Sequence, residues 1–414
     1  MSISKQLPSL NILISGAGIA GPCLAYWLSK TRLNPSITIV ERSPVPRVTG
    51  QAIDIRGGAI KIVEKMGLKT AIQERNTTEI GTRIVNAKGN AIAEFGKGDT
   101  FTAEHEILRA DLCGLFLDAT AKLPNVKYVY DDSITSIDQK GSKVDVSFAT
   151  SAEESFDLVV GADGSTSSTR PMVLSPQVLE GSYNFIGQYI AFFSIPRQPS
   201  DTKHWYWYNA SKGRGLMIRP HRTDSTVGVY VCVTTSSRGK KDPAMEEAMR
   251  GGPEAQRKIL QEYFADAGWQ AERILDGMER ADDFYMSRAA QVKLPCWHKD
   301  RCVLIGDAAF ATFGIGTTLA IESAYFLAGE ISKVQTREQI PQALDRYEKV
   351  FREIYTKSED LPPGFPQLAF PQTAWGLRLR DSALWLVSKT GAYKLLPSEA
   401  EDKSDVPNYD WVGC

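Results

Sequence analysis

Apolar and polar positions along this chain alternate between two kinds of pattern. Near the start, Ile12, Leu13 and Ile14 form an unbroken apolar run of the kind that a parallel strand buries on both faces. It runs straight into Gly16, Gly18 and Gly21, and from Ile19 to Lys30 the apolar residues recur at helical period. Ser36–Val40 reads as a second strand, closed by Glu41. The same strand-then-turn grammar returns twice. Leu158, Val159 and Val160 lead into Gly161-Ala162-Asp163-Gly164, where Ser and Thr in capping positions open a helix over Ser165–Arg170. Cys302–Ile305 leads into Gly306-Asp307, a loop with Gly314 and Gly316, and a long helix from Thr317.

Between these units the texture changes. From about Ser182 to Glu279, runs such as Tyr189–Ile195, His204–Asn209, Gly215–Arg219 and Thr226–Thr234 alternate as antiparallel strands do. Trp205 and Trp207 then share one face, and Tyr206 and Tyr208 the other, so one face can line a pocket for a flat apolar molecule while the other packs a core. Lys88-Gly89-Asn90 marks a hairpin within residues 81–101. Gln51–Ile55 reads as a short strand with Asp54 and Arg56 on one face, where an ordinary ion pair is one reading. Ile107–Ala121 reads as a helix with Arg109 at its start, off the apolar stripe.

The chemistry these patterns offer begins with the first turn. In a GxGxxG spacing the first glycine permits the tight turn, the second lets a pyrophosphate approach the backbone, and the third lets helix pack close to strand. The helix N-terminus offers free N–H groups to that phosphate. Glu41, 20 residues past Gly21, is placed to accept hydrogen bonds from the ribose of an adenine dinucleotide. Asp307, at a strand end beside a helix N-terminus, suits polyol and diphosphate oxygens.

Composition narrows the class. A chain of 414 residues with 43% apolar and 23% charged residues is ordinary for a globular protein, and its length points to two intimately joined domains. A net charge of -1 without a basic cluster gives no argument for nucleic acid. No run of eighteen apolar residues predicts a membrane span. The six cysteines and four histidines are scattered without metal-ligand spacing, so no metal is expected. Reduced cysteines and the absence of a signal-peptide pattern point to a cytoplasmic protein.

Taken together, GxGxxG at Gly16–Gly21, DG at Asp163-Gly164 and GD at Gly306-Asp307 resemble the single-component, class A FAD-dependent monooxygenases built on the p-hydroxybenzoate hydroxylase fold. RVTGQAIDIRG followed by LRADL is similar to the branch containing the tetracycline-modifying and fungal tailoring enzymes. The resemblance implies an α/β fold. Residues 1–80, 102–181 and 280–360 would form a Rossmann-like FAD-binding domain, residues 81–101 and 182–279 an interleaved antiparallel substrate domain, and residues 361–414 a C-terminal helical cap. It assigns Gly16, Gly18, Gly21, Glu41, Asp54, Arg109, Asp163 and Asp307 to FAD, and Arg47 to NADPH visiting as a transient co-substrate. It implies NAD(P)H- and O2-dependent insertion of one oxygen atom into an aromatic or polycyclic small molecule, with the flavin carrying the redox chemistry.

Tyr206, Arg219 and His221 are the candidates in the middle sheet for a base or cation that activates a phenol. A Baeyer–Villiger or epoxidising flavoprotein, or a non-catalytic binding protein like the prenyl-GTPase dissociation inhibitors, are the alternative readings. One departure stands out: Ala311-Thr312-Phe313 replaces the proline region usual before the GD-motif glycine loop, and Ser323 stands where an Asp is common.

Overall fold

A computed structural model describes residues 9–46, 50–99, 102–103, 105–395 and 406–413. The apolar run Asn11–Ser15 lies inside a six-stranded sheet, flanked in parallel by Ser36–Glu41 on one side and Leu158–Gly161 on the other. Val126–Tyr130 extends the first side, and Cys302–Leu304 with the short antiparallel His298–Lys299 extends the second. Every strand that carries one of the three turns therefore sits at the centre of one sheet. Burial on both faces explains their lack of polar alternation: Ile12, Leu13, Ile14, Leu158, Val159, Val160, Val303 and Leu304 are all fully buried.

Helices cover that sheet. Ala20–Ser29 packs along Gly316–Ser332, whose central turns are buried all round, so both read as apolar rather than amphipathic. Trp297 is wholly buried among Phe310, Tyr347, Phe351 and Tyr355 and anchors the helix Ile340–Tyr355. The segment expected to be helical from Ile107 begins instead as a strand. His105–Leu108 pairs antiparallel with Ala52–Ile55, and the helix runs over Arg109–Thr120. Pairing with a short partner strand overrides the local helical pattern there, and it sets Asp54 directly opposite Glu106.

The middle unit is a seven-stranded sheet in the order Tyr285–Val292, Tyr183–Pro196, Thr226–Thr234, Arg214–Pro220, Trp205–Ala210, Gly81–Val85, Ala91–Gly96. All pairs are antiparallel except Trp205–Ala210 with Gly81–Val85. Sheet membership thus continues to Val292, past the boundary expected at residue 279, because Tyr285–Val292 pairs along the long strand Tyr183–Pro196. One face carries Tyr208, Leu216, Ile218, Val229 and Val231 and is covered by Gly252–Phe264 and Ala271–Arg280. The opposite face carries Trp207, Met217, Ile190 and Cys232, with Trp205, Phe192 and Tyr230 at its margin.

Residues 361–373 strap this second face. Arg238 donates to the carbonyls of Phe365 and Pro362, Gln367 to that of Ile186, and Gln372 to that of Thr234. Phe370 packs on Trp207, and the helix Ala374–Thr390 follows.

Candidate active site

The three turns meet at one end of the six-stranded sheet. Gly16 has φ +111°, and a Cβ there would lie 2.5 Å from the carbonyl oxygen of Ala162, so the first and second turns touch backbone to backbone. A Cβ on Gly21 would lie 2.1 Å from the carbonyl oxygen of Gly16, which fixes the helix Ala20–Ser29 against its own turn. Gly18 differs. Its backbone needs no left-handed conformation and a Cβ would meet nothing within 4 Å, so the space before it is open. The protein itself imposes no demand for glycine at that position; a group brought against the backbone would.

Glu41 reaches across the first turn. One carboxylate oxygen accepts from the Ala17 N–H at 2.9 Å and the other from the Ser43 N–H at 3.0 Å. Both oxygens are thereby oriented, with lone pairs left for a diol. Asp163 is used by its own turn, accepting from the hydroxyls of Ser167 and Thr169 and the Thr169 N–H. Asp307 stands half-buried at the third turn beside Gly316. Burial pushes its carboxyl upward, and the nearby Arg109 and Arg170 guanidiniums oppose that shift. Arg109 lies against Gly50, and its Nε is buried with no hydrogen-bond partner among the described residues. Asp54 pairs with Arg56 at 2.6 Å, the ordinary ion pair that its local sequence allowed. Arg47 lies outside the described residues.

Arg170 was not singled out from the sequence, although it closes the second motif. It is 7% exposed and donates to the carbonyls of Ala308 at 2.7 Å and Ser165 at 2.8 Å. It therefore joins the second turn to the third. No spacing rule marks such a residue, because the partner that matters most, the Ala308 carbonyl, lies 138 positions away.

These features fit a bound flavin dinucleotide: an open space at Gly18, the only one of the first turn's three glycines that the fold does not itself require, an oriented carboxylate at the strand end, an orphaned guanidinium nitrogen and a half-buried aspartate near two arginines. Gly16–Gly18 and the adjoining helix N-terminus can hold the diphosphate, Glu41 the ribose, and Asp307 with Arg109 the far end of the chain.

The three candidates in the middle sheet are not brought together. Tyr206 packs with the helix-covered face, its hydroxyl 2.9 Å from the Thr202 hydroxyl, because its pleat position opposes that of Trp205. Arg219 lies on the other face, 4.3 Å from the Trp205 ring centroid. His221 sits just beyond, its Nδ1 3.0 Å from the Thr226 hydroxyl, and burial lowers its affinity for a proton. Arg219 and His221 border a narrow crevice of ≈ 20 Å³ shared with Phe192, Tyr230, Tyr285 and residues 50–52 of the nucleotide-binding unit. Tyr285 donates its hydroxyl to Gln51 across that seam.

Arg219 is not free to act as a cation. It donates to Glu79 at 3.0 and 3.2 Å and to Glu106, and Glu106 also accepts from the Thr77 hydroxyl at 2.6 Å. Both carboxylates are at most 3% exposed, so two acids and one base share a buried site. Burial pushes Glu79 up to about 7, helped by Glu106 and Asp54 and opposed by Arg219; Glu106 is raised for the same first cause. Glu79 and Glu106 lie 27 residues apart, without any motif, so the sequence offered no signal for this cluster. At the third turn, the departing loop is tied through the Ala311 carbonyl to the Val292 N–H at 2.9 Å, and Phe313 packs on Phe365 of the strap. Ser323 is fully buried and donates to its own helix, at the Ala320 carbonyl.

Comparison with known proteins agrees with this geometry. The sequence profile described as FAD binding domain matches residues 9–361. Monooxygenase CTB7 of Cercospora beticola is 34% identical, over 97% of this chain and 98% of its own. The flavin-dependent monooxygenase eupH of a Phoma species is 33% identical, over 98% and 99%. The crystal structure of tetracycline destructase Tet(51) superposes with a TM-score of 0.76 at 29% identity, covering 98% of this chain and 100% of that one.

Two predictions follow from the site. Gly18→Ala leaves the thermal unfolding of the flavin-free protein unchanged while lowering flavin affinity, because only a bound group meets the new methyl. Gly21→Ala destabilises the flavin-free protein itself; equal effects of the two variants on flavin-free unfolding would contradict this. Glu79 has a raised folded-state pKa, so its contribution to stability is full below the ordinary carboxylate range and is lost as pH rises through about 7. Melting curves of the wild type and Glu79→Gln, compared between about pH 5 and about pH 8, are expected to shift in favour of the variant as pH rises, and a difference independent of pH would contradict the assignment.

Proposed function

The chain belongs to the FAD binding domain family and is a flavin-dependent monooxygenase, and we propose that it hydroxylates an aromatic or polycyclic small molecule with NAD(P)H and O2. The observation that carries this reading is the aromatic margin of the seven-stranded sheet facing residues 50–52 beside the nucleotide cradle. Phe192 stacks on Tyr285 at 5.0 Å and meets Tyr230 edge-on at 4.9 Å, while Trp205 stacks on Trp207 at 5.7 Å. Such surfaces hold a flat ring by area and by ring–ring geometry rather than by charge. The names of the relatives support a monooxygenase, and a structural neighbour named a tetracycline destructase supports a polycyclic substrate of the kind tailored in secondary metabolism.

When bound, FAD supplies the electron transfer and oxygen activation that no side chain can. The chain's own residues do the rest. The three turns hold the dinucleotide at one end of the six-stranded sheet, with Arg109 and Asp307 contributing at its reactive half. The aromatic margin orients the ring, and Phe313, packed on Phe365 but 43% exposed, borders the loop side. His221, kept neutral by burial, can accept a proton at the crevice, whereas Arg219 is held by Glu79 and Glu106 and shapes the wall behind it. Arg47 remains our assignment for the visiting NADPH. Five cysteines are free among the described residues, which supports a cytoplasmic protein.

The test is NADPH oxidation across a panel of phenols and fused-ring aromatics, with mass and NMR analysis of products. The expected result is substrate-stimulated NADPH and O2 consumption and a product bearing one new ring hydroxyl. A ring-expanded lactone or an epoxide would contradict hydroxylation, and a flavin-loaded protein that oxidises NADPH with no aromatic would contradict the substrate class.

A further inference from the structure

We propose that the outward face of the helix Ala374–Thr390 is a docking surface for an anionic lipid bilayer. The helix is firmly placed. The Thr373 hydroxyl accepts from the Gly376 N–H at its start, and Gly391 in the left-handed conformation ends it. Its inner face is held by Leu384 and Val387 against the sheet's aromatic cluster, by Arg380 on the Ala369 carbonyl, and by Ser388 on both backbone groups of Glu94. It cannot turn to bury its other side.

That other side is a continuous stripe. Trp375, Arg378, Leu379, Ser382, Trp385, Leu386 and Lys389 follow one another at three- and four-residue spacing, and every one is exposed. Trp375 is 72% exposed and Leu379 58%, with Trp385 and Leu386 at half or more. Of eleven large apolar side chains exposed among the described residues, four lie on this single stripe and the rest are mostly scattered. Concentration of that kind marks an interaction surface rather than ordinary exposure.

Charge selects the occupant. The stripe carries Arg378 and Lys389, with Lys394 exposed just beyond, and no carboxylate. The helix's one acid, Asp381, is paired with Arg380. Two copies of the stripe laid together would set these cations against one another without a counter-charge. An anionic leaflet instead takes the cations at its headgroups and the indoles and leucines at the acyl boundary. No helix among the described residues is long and apolar enough to cross a membrane, so the surface lies on the bilayer.

The test uses the full-length, FAD-loaded protein and vesicles of phosphatidylcholine with or without phosphatidylserine. The wild type should sediment with the phosphatidylserine vesicles, with a blue shift of tryptophan emission, and be released by high salt. The Trp375→Ser/Trp385→Ser and Arg378→Glu/Lys389→Glu variants should each bind about tenfold or more weakly, with unchanged thermal unfolding. Wild-type protein that stays in solution with both vesicle types would overturn the proposal, as would equal sedimentation of wild type and variants. A concentration-dependent dimer dissolved by the same substitutions would also overturn it, because a second copy would then be the occupant.

Discussion

The contact on which the rest of the site depends is the close approach of the Gly16 turn to Ala162. Two strand ends can bring their turns that near only because one turn lacks a side chain; any Cβ would stand 2.5 Å from a carbonyl oxygen. Arg170 then carries the link onward to the Ala308 carbonyl, 138 positions away, so three turns distant along the chain form one rim. The central position of their strands in the six-stranded sheet makes that rim rigid, since each strand is buried on both faces. That rim presents backbone N–H groups, an oriented Glu41 and a half-buried Asp307, which fit a dinucleotide.

The second unit contributes a surface rather than a rim. Its sheet turns one face to helices and the other towards the nucleotide-binding unit, and the alternation of the WYWY run decides which ring goes where. Trp205 and Trp207 face the strap and the seam, while Tyr206 and Tyr208 face the helices. The seam is narrow where Tyr285 meets Gln51. Behind it, Arg219, Glu79 and Glu106 form a buried ionic knot in which the base is already neutralised. Breaking such a knot by removing one partner leaves an uncompensated charge, so it acts as a wall more than as a reagent.

The three strand-turn units were legible because apolar runs buried on both faces and glycines at fixed offsets are local signals. So were the change of texture near Ser182 and the division of the WYWY faces. Of the helix expected over Ile107–Ala121 the first two residues were misread, because a strand of four residues, His105–Leu108, is decided by its partner rather than by its own periodicity. Arg170, Glu79 and Glu106 were invisible for a related reason: each finds its meaning in partners distant along the chain. Tyr206 shows the opposite limit, where correct placement on a face did not say which face borders the crevice.

The central claim is that three separated turns make one flavin site. Titration of the purified, folded protein with FAD by calorimetry tests it most directly. The account predicts saturation at one FAD per chain, accompanied by a rise in the unfolding temperature of the whole molecule. A folded protein that takes up no FAD, or binds it without any change in unfolding, would contradict it.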